Sequence, residues 1–210
     1  MSKPSIQNAK LYVIVDRSAL GGRDPVETAA AAMRGGADVI QWRDKTAPDG
    51  PFLETARRLR EETRRQGILF IVNDRVAAAL LAGADGVHIG HEDLAVPEVR
   101  KLVGGSMLIG RSTHSLEEAL EAEKAGADYI GVGPVFSTPT KPGYRAVGLE
   151  LVRQVKPRIR IPWVAIGGID LENAALVSSA GAARVAVVRA VAAASNPEAA
   201  ARAIKGLLTS

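Results

Sequence analysis

Short, continuous apolar runs alternate with longer amphipathic stretches along the whole chain. This alternation constrains the fold more than any other feature. Eight runs read as strands, at 11–15, 39–42, 69–72, 86–88, 108–110, 129–132, 163–166 and 185–188. Helical patterns fall at 25–35, 51–66, 75–82, 97–103, 116–125, 149–156, 172–180 and 197–208. Runs without polar alternation suit strands buried on both faces, as in a parallel sheet. One short element recurs between a helix and the next strand: Gly36-Ala37-Asp38, Gly83-Ala84-Asp85, Gly126-Ala127-Asp128 and Gly181-Ala182-Ala183. Its glycine suits the left-handed residue that ends a helix. Asp24-Pro25 and Asn196-Pro197 mark helix starts, and Ser115-x-x-Glu118 is a capping box. Eight strand–helix units in 210 residues fit an α/β fold of compact (β/α)₈ (TIM) barrel type. A doubly wound open sheet is the alternative. No Pro/Ser-rich linker divides the chain, so 1–210 reads as a single barrel domain with 1–10 as an N-terminal extension.

Composition removes several classes of function. The chain has no cysteine, which excludes disulfides, thiolate metal sites and a Cys nucleophile, and fits a reducing cytoplasm. No apolar run reaches the roughly 18 residues of a membrane span, and residues 1–10 show no signal-peptide pattern. The net charge of +4 is mild, and aromatic residues are 4% of the chain, too few for nucleic-acid stacking platforms. An enzyme acting on small anionic molecules is the better expectation. A homo-oligomer stays open.

In a barrel the chemistry sits where strands end, and polar residues gather at those ends. After the second strand come Gln41, Arg43 and Lys45, whose alternation points them to one side. Two cations and an amide suit a phosphate or diphosphate, or else Arg43 forms a surface pair with an aspartate and Gln41 fills a barrel layer. Asn73 and Asp74 follow the third strand and Asp93 the fourth. Asp74 and Asp93 together could hold Mg²⁺ beside a diphosphate, or serve as a helix cap and a solvated loop acid. His88 reads as a hydrogen-bonded barrel-layer residue. Ser112 could donate to a phosphate and His114 act as acid or base, while Ser115 serves the capping box. The loop with Thr138, Thr140 and Lys141 could close on a substrate, or simply connect. Gly167-Gly168 and the eighth strand's end at Val188-Arg189 suit a monophosphate, or a tight turn with Arg189 snorkelling outward.

In order along the chain, these segments resemble the thiamine phosphate synthase family over residues 12 to 203. The resemblance is carried by Gln41-Trp42-Arg43-Asp44-Lys45, Val72-Asn73-Asp74-Arg75, Gly86-Val87-His88-Ile89-Gly90 with Glu92-Asp93, and Ser112-Thr113-His114-Ser115. Gly131-x-Gly133-Pro134-x-Phe136-x-Thr138-Pro139-Thr140-Lys141 and Ala165-Ile166-Gly167-Gly168-Ile169 complete it. It implies a (β/α)₈ barrel, a Mg²⁺ cofactor and a transferase. The reaction would couple an aminopyrimidine methyl diphosphate with a thiazole phosphate, giving thiamine phosphate and diphosphate through a dissociative, carbocation mechanism. By motif, Gln41, Arg43, Lys45, Asn73, Ser112 and Lys141 would hold the pyrimidine diphosphate, with Arg43, Lys45, Ser112 and Lys141 catalytic. Asp74 and Asp93 would hold Mg²⁺. Thr138, Thr140, Gly168 and the backbone at Val188 would hold the thiazole phosphate, and Arg189 is a further candidate there that could strengthen phosphate binding or crowd it. Trp42 and Asp44 depart from the family's usual residues and are expected to point away from the site. Arg189 replaces a common serine. A thiazole tautomerase-like enzyme using His114, or a non-catalytic thiazole or thiamine phosphate binder, is the alternative. Lys45, Asp74, Asp93 and Lys141 argue for the synthase.

Overall fold

A computed structural model describes residues 4–138 and 145–208. Eight strands run in chain order: β1 (Leu11–Asp16), β2 (Val39–Arg43), β3 (Leu69–Asn73), β4 (Gly86–Ile89), β5 (Leu108–Thr113), β6 (Tyr129–Val132), β7 (Trp163–Ile166) and β8 (Val185–Val187). All neighbouring pairs are parallel, and β8 closes on β1 with Leu11 opposite Val185 and Val13 opposite Val187. That ladder makes a closed barrel and excludes the open sheet. Outside it lie α1 (Pro25–Arg34), α2 (Asp49–Gln66), α3 (Val76–Ala82), α4 (Val96–Val103), α5 (Leu116–Lys124), α6 (Gly148–Val155), α7 (Ala174–Ser179), α8 (Arg189–Ala192) and α9 (Pro197–Gly206).

Strand alternation divides the core in two. Tyr12, Ile14, Val39, Ile71, Leu108, Tyr129, Val164 and Ala186 pack inside the barrel, with Ile6 of the N-terminal segment joining them. Leu11, Val13, Ile40, Trp42, Val87 and Ile130 face outward and pack under the helices. Both faces of every strand are therefore apolar, the physical reason that the runs do not alternate in sequence.

β1, β2, β3 and β5 extend past the apolar runs because parallel pairing continues through polar residues, and β4 gains Ile89. Asp16 pairs opposite Arg43, Asn73 opposite His88, and Ser112 opposite Gly131. β8 is shorter than expected, since Val188 leaves the strand and α8 begins at once.

At the opposite end, the recurring tripeptide forms a clamp. Gly36, Gly83, Gly126 and Gly181 all adopt positive φ, as the end of a helix requires. Three of the repeats then place an aspartate just before β2, β4 and β6. The N–H groups of Asp38, Asp85 and Asp128 donate to the carbonyls of Leu11, Phe70 and Ile109 at 2.8, 2.9 and 2.8 Å. In return the N–H groups of Leu11, Phe70 and Ile109 donate to their carboxylates at 2.9, 2.9 and 2.8 Å. Each carboxylate also holds a helical cation: Lys205, Arg60 and Arg100 at 2.7, 2.7 and 2.5 Å. The fourth repeat has Ala183-Arg184 instead. Arg184 donates to the carbonyls of Ile6, at 3.2 Å, and Gln7, tying the N-terminal segment across the barrel floor.

Candidate active site

The C-terminal ends of the strands open into a cavity of about 310 Å³, within the range of small-molecule sites. Gln41, Arg43, Asn73, Ser112, Thr138, Gly168, Val188 and Arg189 all line it, as do His88 and His114. Lys45, Asp74 and Asp93 are not on its wall, and form a charged cluster whose Asp74 directly follows Asn73. Thr140 and Lys141 lie outside the described residues.

Strand pairing sets Arg43 opposite Asp16, and the guanidinium donates to that carboxylate. Asp16 is only 2% exposed and also accepts from the Ser18 N–H and hydroxyl at 2.9 and 2.6 Å. This is a buried orienting pair at the cavity wall, not the surface pair entertained from sequence. Trp42 and Asp44 do point away. Trp42 packs on Phe52 and under Arg17, and Asp44 accepts the N–H groups of Thr46 and Ala47.

Asp74 is not a helix cap. It has φ 59, a left-handed value, and Arg75 occupies the cap position of α3 without a side-chain bond. Its carboxylate instead pairs with Lys45 and lies within hydrogen-bond reach of Asp93. Burial and the Asp93 carboxylate push Asp74 above the ordinary carboxylate range, against the downward pull of the Lys45 ammonium. Asp93 is itself positioned by the Gly90 N–H, which donates to it at 2.6 Å. Two carboxylates pressed together fit a divalent cation, which would relieve their repulsion. No third ligand-type side chain joins them among the described residues, as suits Mg²⁺, which takes few protein ligands and shares phosphate oxygens.

Two arginines that stand at the strand ends in the sequence, but to which the sequence alone assigns no role, hold the flanking loops. Arg75 donates to the carbonyls of Asp44 and Ala47 at 3.1 and 2.7 Å, fixing the loop that carries Lys45. Arg111 donates to the His91 carbonyl at 3.2 Å, fixing the loop that carries Asp93. The available signal was an arginine directly after Asn73-Asp74 and one directly before Ser112.

Below the cavity mouth lies a buried polar chain. Gln41 Nε2 donates to the Tyr12 hydroxyl at 2.7 Å, the Tyr12 and Tyr129 hydroxyls are 3.0 Å apart, and Tyr129 Oη is 3.2 Å from His88 Nδ1. His88 Nε2 then meets Ser112 Oγ at 3.0 Å. Burial raises both phenols far above their usual range, so both keep their protons. A side chain at Gly110 would sit 2.2 Å from the Tyr129 ring and 2.5 Å from His88 Nδ1, so glycine makes the room this contact needs.

His114 Nδ1 donates to the Gly133 carbonyl, which fixes the ring at the cavity wall. Gly167 and Gly168 have φ of 101 and 63, and Asn173 Nδ2 holds the Gly168 carbonyl at 2.8 Å. A Cβ at Gly168 would meet the Ser137 carbonyl at 2.7 Å. Arg189 is exposed at the cavity edge and makes no ion pair with a described carboxylate, so it has not snorkelled to one.

Comparison with known proteins points one way. A thiamine-phosphate synthase from Shouchella clausii is 49% identical over 196 residues, covering 93% of this chain and 94% of the relative. One from Chloroflexus aurantiacus is 47% identical over 210 residues, covering 100% and 97%. Some longer relatives are matched over only 53–59% of their own length. Among solved structures, a thiamine phosphate pyrophosphorylase from Pyrococcus furiosus superposes with a TM-score of 0.88 at 42% identity, covering 96% of each chain. The family model for thiamine monophosphate synthase matches residues 11–191, which span every strand and the cavity they enclose, and the chain is therefore a member of that family of transferases.

Proposed function

We propose that the chain couples an aminopyrimidine methyl diphosphate to a thiazole phosphate, in the presence of Mg²⁺, to form thiamine phosphate and diphosphate. The observation that carries this reading is the contact between Asp74 and Asp93 beside a cavity lined by Gln41, Arg43, Asn73 and Ser112. A passive binder of a monophosphate has no need of that carboxylate pair. The tautomerase reading rests on His114 alone and leaves Lys45, Asp74 and Asp93 without a task.

Asp74 and Asp93 would hold the Mg²⁺, which supplies neutralising charge at the diphosphate. Gln41 and Asn73 orient the pyrimidine end. Arg43, Lys45, Ser112 and Lys141 take the negative charge that develops as the C–O bond to the diphosphate breaks and its electron pair leaves with the diphosphate. The ring amino group stabilises the resulting methyl cation, and the thiazole nitrogen lone pair closes the new C–N bond. No side-chain nucleophile takes part. Thr138, the Gly168 turn, the Val188 backbone and Arg189, on the wall of the same cavity, hold the thiazole phosphate, a task that Thr140 shares. The mild charge, the absence of cysteine and the small anionic substrates suit a cytoplasmic enzyme. No helix among the described residues is long and apolar enough to cross a membrane.

The test is product formation from the two substrates with Mg²⁺ or with chelator, read by mass and by diphosphate release. Magnesium-dependent thiamine phosphate is expected, with Lys141→Ala strongly impaired. Folded protein that releases no diphosphate, or works equally well in chelator, overturns the reading.

A further inference from the structure

The buried chain from Gln41 to Ser112 has a direction. Gln41 Nε2 donates to Tyr12, so the single Tyr12 proton goes to Tyr129. The Tyr129 proton then goes to His88 Nδ1, which fixes the histidine proton on Nε2. Nε2–H donates to Ser112 Oγ, and the serine proton is left for the cavity. At the other end, Gln41 Oε1 accepts from no described side chain, although Gln41 lines the cavity. One end thus offers an acceptor and the other a donor. Turning the Gln41 amide over would reverse every link: Oε1 would accept from Tyr12, and Ser112 would spend its proton on His88. Tyr12 and Tyr129 touch the cavity wall but lie at only 3% and 0% exposure, so water has little access to the links between them.

We infer that Tyr12, Tyr129 and His88 act as positioning residues that couple the two ends, so that a donor group bound at Gln41 commits the Ser112 hydroxyl to donate to an anion. This rests on the proposed function, whose aminopyrimidine diphosphate carries both groups: an amino donor and a diphosphate acceptor. A pyrimidinone diphosphate, with a carbonyl in place of the amino group, would demand Nε2 from Gln41. It would thereby reverse the chain and turn the serine proton away from the diphosphate. Selection for the amino group is then exerted partly at Ser112, through a path of buried hydroxyls.

The experiment measures binding of the aminopyrimidine and pyrimidinone diphosphates by calorimetry with Mg²⁺ and without the thiazole phosphate. Ser112→Ala is compared in the wild-type, Tyr129→Phe and Tyr12→Phe backgrounds. In the wild type, Ser112→Ala is expected to weaken the amino ligand by about tenfold or more, and to weaken the pyrimidinone by a factor smaller by about fivefold. In either phenylalanine background the two losses become equal, because the chain is cut. A merely structural role for the tyrosines would weaken both ligands alike and leave the inequality standing. Tyr12→Phe serves if Tyr129→Phe does not fold, with folding checked by circular dichroism. Equal losses in the wild type, or an inequality that survives both cuts, overturns the coupling while leaving the proposed function intact. Failure of folded wild-type protein to bind either diphosphate overturns both.

Discussion

Replacing Asp85 by alanine removes the acceptor that holds the start of β3. Its carboxylate takes the Phe70 N–H at 2.9 Å and the Arg60 guanidinium at 2.7 Å. Phe70 is fully buried, so water cannot replace the lost acceptor, and an unpaired buried N–H costs about 1–3 kcal/mol. The ion pair adds less. The Arg60 and Asp85 side chains are 24% and 14% exposed, and a partly solvated pair contributes on the order of 0.5–1 kcal/mol. The expected loss is therefore about 1.5–4 kcal/mol, with Tm falling by about 2–4 °C per kcal/mol at this chain length. Asp85→Asn keeps an oxygen for the Phe70 N–H and loses only the charge, so about 1 kcal/mol is expected. Urea unfolding followed by circular dichroism measures both variants. Equal losses for alanine and asparagine, or an alanine loss below about 1 kcal/mol, would refute the clamp. Activity of the folded variants should be unaltered, since the clamp lies at the far end of the barrel from the cavity.

Asp93→Asn should lower magnesium-dependent turnover on the order of a hundredfold or more with little change in Tm. Steady-state kinetics beside a thermal melt would show it, and retained turnover removes Asp93 from the site. Gly168→Ala should weaken the thiazole phosphate more than the pyrimidine diphosphate, because a Cβ there would meet the Ser137 carbonyl at 2.7 Å in a left-handed turn. Equal loss for both ligands contradicts the division of the cavity. Burial raises the Asp44 carboxyl, but the N–H groups of Thr46 and Ala47, the Thr46 hydroxyl and Arg17 outweigh it and hold the carboxyl below its ordinary 3.8. A lowered folded value means that its stabilisation is complete above the unfolded value and is lost as pH falls through the folded one. The stability difference between wild type and Asp44→Asn should hold from neutral pH down to about 5 and shrink below about 4. A difference that does not change across acid unfolding curves down to about pH 3 rules this out.

Much of the barrel was legible because each strand is buried on both faces and each helix carries a local end signal. β6 and β7 match the apolar runs residue for residue. The missing parts share a cause. Asp16, Arg111 and Thr113 are polar, yet they belong to strands because the neighbouring strand is already in register. Thr113, for example, donates to the Gly131 carbonyl at 2.9 Å. The α8 turn was hidden because Ala and Val continue an apolar run equally well as strand or helix. In the site, Arg43, Asn73 and Ser112 could be placed from strand ends alone. Their partners could not, since Tyr12 and Tyr129 are 117 positions apart and His88 and Tyr129 are 41 apart. Only closure and register bring them together. The repeats betrayed their glycines but not their aspartates, because an acid after a helix looks like any solvated residue until the next strand's N–H is seen against it.

Those three aspartates also define where the chain tolerates being recut. Each joins two consecutive strands, β1 with β2, β3 with β4 and β5 with β6, across only 27, 15 and 19 positions. The Arg184 tie spans 178. The barrel is in this sense a string of strand pairs with a late seam. A circular permutant opened between the exposed Gly105 and Ser106 keeps the strand-to-strand bonds of all three aspartates within a continuous stretch of chain, and of the clamps parts only Arg100 from Asp128. One opened inside α3 turns the shortest of these closures into one that spans nearly the whole chain, with the added entropy of bringing distant segments together. The first permutant should reassemble readily and the second slowly, although the finished barrel is the same.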